Sequence, residues 1–258
     1  MSFLDTLKSI LLGQKNGKIE QPSIEKSKQT KPKQHEPVTL PEVTIVPETK
    51  EDYSGLVVML DNGHGEETPG KRSPDGKFRE YAYTREIVSM IKSKLEELGI
   101  EYYIVVPETR DVKLKTRVSR ANKKYEEIKK QGKKAVFISV HVNAAKSGEW
   151  YTARGWSGWT SKGQTGGDKL ADCLYKAAHE ILDPKSIKIR TDKSDGDEDW
   201  ESNFTVITET SMPACLTENF FMDNKEDVAY LTSEEGKQDV VNIHVEGIKK
   251  YIKNIIKK

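Results

Sequence analysis

Three short stretches hold the residues whose types and spacing suit chemistry. "LDNGHG" (Leu60–Gly65) closes one apolar run, "ISVHVNA" (Ile138–Ala144) a second, and "LTENFF" (Leu216–Phe221) a third. Burial in a strand explains the apolar residues before each cluster. It does not explain His64, His141 or Glu218. A fourth residue, Glu80, stands in the first turn of a helical pattern and shares a face with Thr84, Ile87 and Ile91 at i, i+4, i+7 and i+11. That is the face the helix should bury. A lone ionised carboxylate is costly to bury, so it calls for a cation. Two imidazoles and one carboxylate with a fourth position open are the donor set of a catalytic zinc. Taken singly, either histidine reads equally well as a satisfied core or rim residue. Glu86 is a competing carboxylate, but it faces away with Arg85 and Ser89.

These residues need a frame that brings three strand ends together. Leu56–Leu60 is a short apolar run, the mark of a strand covered on both faces. "EYAYTREIVSMIKSKLEELG" places Tyr83, Ile87, Ile91, Leu95 and Leu98 at helical spacing and stops at Gly99, which suits the left-handed position after a helix. "EYYIVV" (Glu101–Val106) predicts the next strand, "LKTRVSRANKKYEEIKK" (Leu114–Lys130) a helix and "KAVFISVHVNA" (Lys134–Ala144) a strand. "DKLADCLYKAAHEIL" predicts a helix with Asp168 as its N-cap. "PACLTENFF" predicts a short strand and "DVVNIHVEGIKKYIKNII" a closing helix. This alternation predicts an α/β fold: a single domain with a mostly parallel twisted sheet and helices on both faces. Ligands of such sheets sit beyond the carboxyl ends of the strands. His64, His141 and Glu218 all fall there.

Composition narrows the function classes. The 258 residues can fill one core of ordinary size and leave some chain over. Lys and Arg number 42 against 41 Asp and Glu, so no global charge points to nucleic acid or an anionic membrane. No apolar run approaches the ~20 residues of a membrane span. Cys173 and Cys215 match no metal or redox spacing and read as free thiols of a reducing compartment, with Cys215 in the core. His35 reads as inert, and His179 and His244, both on helices, as surface or packing residues.

The N-terminal part differs in character. Residues 1–13, "MSFLDTLKSILLG", have apolar residues at helical spacing but neither a basic start nor a small-residue cleavage site. They read as a short amphipathic segment rather than a secretion signal. Docking on a partner or membrane surface, and an unstructured piece, stay open alternatives. Residues 14–54 hold half of the chain's ten prolines and are rich in Lys, Gln, Glu and Thr, the composition of a flexible linker. The catalytic domain is expected over 55–258, with folding beginning near Tyr53.

From about Val57 to Ile256 the chain resembles the zinc-dependent N-acetylmuramoyl-L-alanine amidases of the Amidase_3 type. Five motifs carry the resemblance in order: "LDNGHG"; Glu80 followed by Gly99; "LKTRVSRAN" with Leu114, Arg117, Ala121 and Asn122; "FISVHVNA"; and "PACLTENFFMDNKEDVAYL". The resemblance implies one zinc per chain on His64, Glu80 and His141, the same set that spacing suggests. It implies Glu218 as the catalytic acid/base. It also implies the reaction, hydrolysis by zinc-activated water of the amide joining N-acetylmuramic acid to L-alanine of the peptidoglycan stem peptide. The implied partner is peptidoglycan, glycan strand and stem peptide together. A monomer is expected, and the balanced charge gives no reason to expect nucleic acid.

Two departures stand out. Asn62 occupies a position where the family commonly has Pro, at some cost in rigidity. After His141 the chain carries "AAKSGEWYTARGWSGWTSKGQTGG" with three of its four tryptophans, and "IKIRTDKSDGDEDWESNFTVI" precedes the last strand. These loops read as a substrate groove. Asn143, Arg154 and Trp156 are the expected substrate-binding residues, with Arg190 a second guanidinium for stem-peptide carboxylates. The competing reading makes Trp150, Trp156 and Trp159 caps on the core and leaves the arginines solvated. A carboxypeptidase-like zinc amidohydrolase and a catalytically weak wall-binding module stay open. With no signal peptide recognised, the chain is expected to be made in the cytoplasm and to reach the wall on release, as a phage or prophage lysin or another cell-lysis enzyme.

Overall fold

The computed structural model describes residues 51–146 and 148–257. The 1–13 segment and nearly all of the 14–54 linker lie outside the described residues. The described part is one six-stranded sheet in the order β2-β1-β3-β6-β4-β5. The strands are β1 (Leu56–Asn62), β2 (Glu101–Ile104), β3 (Lys134–Asn143), β4 (Ser157–Thr160), β5 (Trp200–Glu201) and β6 (Ala214–Phe221). The helices are α1 (Glu80–Leu98), α2 (Leu114–Lys130), α3 (Gly166–Leu182), α4 (Thr205–Thr208), α5 (Lys225–Thr232) and α6 (Glu234–Tyr251), the last running into a short π-helical turn over Ile252–Ile256.

The four predicted strands pair in parallel, as their continuous apolar runs require. Alternation divides their side chains between two cores. Leu56, Val58 and Leu60 of β1 join Val136, Ile138 and Val140 of β3 beneath α1, α3 and α6. Val57 and Met59, with Ala135 and Phe137, meet α2 and α4 on the other face. Ile91 and Leu95 of α1 are fully buried, and each such side chain contributes about 1.5–3 kcal/mol. Gly99 ends α1 in the left-handed conformation, φ 70°, and Ile100 N–H then bonds back to the Leu95 carbonyl at 2.9 Å.

Three expectations need correction. The helix containing Asp168 begins two residues earlier. Thr165 is its N-cap, and Asp168 closes the capping box by accepting from the Thr165 N–H. β4 and β5 are additional strands, and β4 runs antiparallel to β6. Their brevity, four and two residues, leaves no period to read. α5 was not foreseen either; Asn224 caps it by accepting from the N–H groups of Glu226 and Asp227.

Tyr53 is buried in the first core, where folding was expected to begin. Beside it, Glu51 pairs with Lys253, and Asp52 with Lys257 at 2.5 Å. Cys173 and Cys215 are buried free thiols.

Candidate metal centre

Strand register assembles the site. β1 and β3 pair Asp61 with Ser139, and β3 and β6 pair His141 with Glu218. His64 follows β1 by two residues, and Glu80 opens α1, which packs over β1 and β3. One ligand atom each from His64, Glu80 and His141 lie within 4.8 Å of one another. The two imidazoles meet edge to face, ring centroids 4.9 Å apart.

The glycines around His64 are explained by close approach. A Cβ on Gly63 would stand 2.7 Å from His141 Nδ1, and one on Gly65 would stand 2.0 Å from the Asp111 backbone nitrogen. His64 itself is left-handed, φ 53°, a conformation that costs a non-glycine residue of order 1–3 kcal/mol unless its surroundings fix it. They do. The His64 carbonyl accepts from Arg85 at 3.0 Å and from Arg117 at 3.2 Å. Asn62, standing where the family commonly has proline, donates to the Val106 carbonyl at 2.7 Å. A side-chain hydrogen bond thus holds the turn where ring rigidity would have.

Glu80 is completely buried. Its Oε1 accepts from the Val142 N–H at 3.0 Å and lies 3.2 Å from His141 Nδ1. Its Oε2 has no hydrogen-bond partner among the described residues and stands 3.6 Å from His64 Nε2. On the far side of His141, Nε2 lies 3.1 Å from Ser139 Oγ, which donates to Asp61 Oδ2 at 2.6 Å. Asp61 is clamped in turn by Arg117 at 3.0 Å. Because Ser139 spends its proton on Asp61, it can only accept from His141. Nε2 therefore carries the ring proton, and Nδ1 faces Glu80 Oε1 across a gap that needs a second proton or a cation. The orphaned Glu80 oxygen, two converging imidazole nitrogens and this fixed tautomer fit a divalent metal with nitrogen and oxygen donors.

Electrostatics agree. Burial holds His64 down, to about 3, against the pull of Glu80, so its imidazole is neutral and ready to ligate. Burial pushes Glu80 up, but the bond from His141 and both imidazoles outweigh it and keep it below the usual carboxylate range. Burial pulls His141 down, and Glu80 outweighs that to leave it raised.

Glu218 stands beside the three. Burial, opposed by His141 and reinforced by Glu80, pushes it up to about 7. Its Oε2 is also buried without a partner among the described residues. His64, His141 and Glu218 line a cleft of about 530 Å³ together with Asp61, Lys71, Arg117 and Phe204, while Glu80 sits behind the imidazoles. Exposed Leu114 and Phe204 are also part of its lining.

The three expected substrate-binding residues do not line this cleft. Trp156 is fully buried and donates from its indole to Asn219 at 2.9 Å. It belongs to the core and cannot touch a substrate. Arg154 pairs with Glu226 and Asp227. Asn143 folds back on its own strand end, accepting from the Ala144 N–H at 2.8 Å. Arg190 lies over Trp200 and Phe221. Glu86 pairs with Lys237 at the surface. His244 is buried packing, bonded to Thr217 and to the Val240 carbonyl, and half-exposed His179 pairs with Asp183 and Glu198. Lys71, Ser139 and Phe204 were not anticipated. Ser139 interrupts the apolar run Ala135–Val140 two residues before His141, and that contrast was its one visible signal.

The Amidase_3 family model, described as N-acetylmuramoyl-L-alanine amidase, matches residues 58–250. An endolysin of Bacillus phage SPP1 is 32% identical over 198 residues, 74% of this chain and 64% of the endolysin, so the chain spans less than two thirds of that relative. The N-acetylmuramoyl-L-alanine amidase AmiC of Neisseria meningitidis serogroup B is 25% identical over 239 residues, 78% of this chain and 54% of its own. Among solved structures, an N-acetylmuramoyl-L-alanine amidase from Clostridium difficile 630 shares the fold with a TM-score of 0.65 at 24% identity, over 78% of this chain and 98% of that one. The catalytic domain of the amidase CwlV from Bacillus (Paenibacillus) polymyxa var. colistinus matches with a TM-score of 0.62 at 25% identity, over 76% and 98%.

Proposed function

The chain belongs to the Amidase_3 family of N-acetylmuramoyl-L-alanine amidases, and on that premise we propose that it cleaves the amide between N-acetylmuramic acid and L-alanine in peptidoglycan, with one zinc held by His64, Glu80 and His141. One observation carries the reading: the buried Glu80 Oε2, unpartnered among the described residues, facing His64 Nε2, with Glu218 beside His141 in the cleft wall. Zinc bound there supplies Lewis acidity, polarising the scissile carbonyl and acidifying water. The chain's own groups do the rest. Glu218, raised towards neutrality, takes a proton from the attacking water and delivers it to the departing L-alanine nitrogen. Lys71 sets a positive charge in the cleft wall, which favours negative charge developing within the cleft. Asp61 and Ser139 keep His141 in one tautomer and orientation. Leu114 and Phe204 offer apolar surface to the lactyl and alanyl methyl groups.

The likeness to a phage endolysin supports a role in wall lysis. Among the described residues no helix is long and apolar enough to cross a membrane. Mass spectrometry of purified peptidoglycan after digestion tests the reaction. The expected products are stem peptides with a free L-alanine amine and glycan strands without new reducing ends. Release of a C-terminal residue from the stem, with the muramyl amide intact, would make the chain a carboxypeptidase.

A further inference from the structure

Of the two arginines expected to meet stem-peptide carboxylates, only one is free to do so. Arg154 is answered by Glu226 and Asp227. The Arg190 guanidinium lies over the rings of Trp200, at 5.1 Å, and Phe221, at 4.9 Å, and meets no carboxylate or hydrogen-bond acceptor among the described residues. A guanidinium carries five N–H donors and keeps its charge. Two aromatic faces attract the cation but answer none of those donors, and the residue is only half-buried.

Backbone geometry fixes where Arg190 stands. Ile189 bridges Trp156 in parallel, and the Arg190 N–H donates to the Trp156 carbonyl at 2.8 Å. The Arg190 carbonyl accepts from the Tyr175 hydroxyl at 2.9 Å. Ile189 and Trp156 both pack into the first core. By alternation Arg190 and Ser157 take the opposite face, and Ser157 pairs with Glu218. Arg190 therefore stands on the Glu218 face, two strand spacings away, about 10 Å. The end of β6 turns Phe221 to that face as well. His141 pairs with Glu218 and Asn143 with Phe221, so β6 takes three residue steps where β3 takes two. The extra step is a bulge beside left-handed Phe220, φ 67°. An aromatic row joins this place to the cleft: Trp200 stacks on Trp159 at 5.4 Å, Trp159 on Phe204 at 5.6 Å, and Phe204 lines the cleft.

We propose that Arg190 is a specificity-determining residue that binds a carboxylate within the first three stem-peptide residues after the scissile amide; this rests on the amidase reading above. Extended peptide advances about 3.3–3.6 Å per residue, so about 10 Å is the length of two or three stem residues beyond the reacting bond. The planar guanidinium grips a carboxylate through two parallel N–H bonds. Trp200 and Phe221 keep that plane in place and set apolar surface beside the pair. A carboxamide offers one acceptor oxygen and turns its own N–H groups on the cation, so both charge and geometry favour the acid.

The test gives the full chain, zinc-loaded, two soluble muramyl tripeptides: one with its stem carboxylates free, the other with the same groups converted to carboxamides. Wild type should cleave the free form with kcat/KM about 10–100-fold higher. The difference should lie in KM, because the contact is remote from the reacting atoms. Arg190→Gln should erase the preference and keep its zinc. Arg190→Lys, which keeps the charge but not the fork, should recover part of it. Equal cleavage of both forms by wild type would overturn the assignment, as would a preference that survives in Arg190→Gln. An equal loss on both forms in that variant would make Arg190 a brace between Trp200 and Phe221 and overturn it too. Where Arg190→Gln fails to fold, Arg190→Lys decides alone, and an undiminished preference sinks the assignment. Cleavage of neither form at the muramyl amide would instead overturn the amidase reading, and this assignment with it.

Discussion

At the ends of β1 and β3, a buried carboxylate is met by two imidazoles and a backbone amide; before β5, a buried carboxylate is met by another carboxylate. Glu80 Oε2 and Asp199 Oδ1 are both without a partner among the described residues. They differ in what surrounds them. Around Glu80 every neighbour is fixed from behind: His141 by Ser139 and Asp61, Asp61 by Arg117, and His64 by Arg85 and Arg117 through its carbonyl. Around Asp199 the single fixed partner is Thr160. Rigid nitrogen and oxygen donors suit a tightly held zinc, whereas a buried carboxyl group raised by its neighbouring carboxyl suits keeping its proton. Arginines of α1 and α2 hold the strained His64 in place from its carbonyl side.

The sharpest way to break the contrast is through Glu218. Glu218→Gln keeps the size of the side chain but cannot accept the proton, so turnover on purified peptidoglycan should fall by about 10²–10⁴-fold. Zinc content, measured by elemental analysis, should stay at one per chain. Chelation should instead remove zinc and activity together, and added zinc should restore both. Loss of zinc in Glu218→Gln would move Glu218 into the ligand set and blur the division between ligand and base.

A smaller effect comes from His244, buried below the rim and bonded to Thr217. Burial lowers it to about 4, against the Val240 carbonyl, which favours the proton. The unfolded chain takes up its proton near pH 6.5, before the folded chain does. Stability is therefore full above pH 6.5 and is lost as pH falls towards 4, by up to about 3 kcal/mol. Urea unfolding across that window should show a steeper loss in wild type than in His244→Gln. Parallel curves would show that His244 charges without unfolding.

The smallest expected effect sharpens the claim that the proposed zinc centre is held from behind. Ser139→Ala leaves every proposed ligand in place but frees His141 Nε2. Zinc affinity, read by competition with a chromogenic chelator, should weaken about 10–100-fold while circular dichroism stays unchanged. Unchanged affinity would mean that strand register alone orients His141.

Some of this was plain in the sequence. The α2 helix lies over Leu114–Lys130, the range its pattern predicts, because a long periodic segment needs no partner to declare itself. His64, His141 and Glu218 stood out because each interrupts or ends an apolar run, and Glu80 because it shares the buried face of its helix. What stayed hidden depends on distant chain. Asp61 meets Ser139 through the β1–β3 register, and nothing local reports a register. Trp156, in a loop rich in glycine and charge, looked like a substrate platform, but β4 turns it beneath the surface against Tyr175, ring centroids 5.0 Å apart. Asp168 and Thr165 both suit an N-cap, and one turn of backbone geometry decides between them.

The pairing of Asp52 with Lys257 and of Glu51 with Lys253 brings the two ends of residues 51–257 to one corner, where the added Cβ of Gly55 would lie 4.0 Å from Ile256. That corner is at the start of β1, and the His64/Glu80/His141 cluster is at its other end, seven residues and about 20 Å away. A unit that begins and ends at one point, with its working face turned away, is a cassette. It can be spliced into a foreign loop, cut open elsewhere and rejoined across the 51–257 gap, or hung on a tether of any length. None of these rearrangements brings new chain across the cleft.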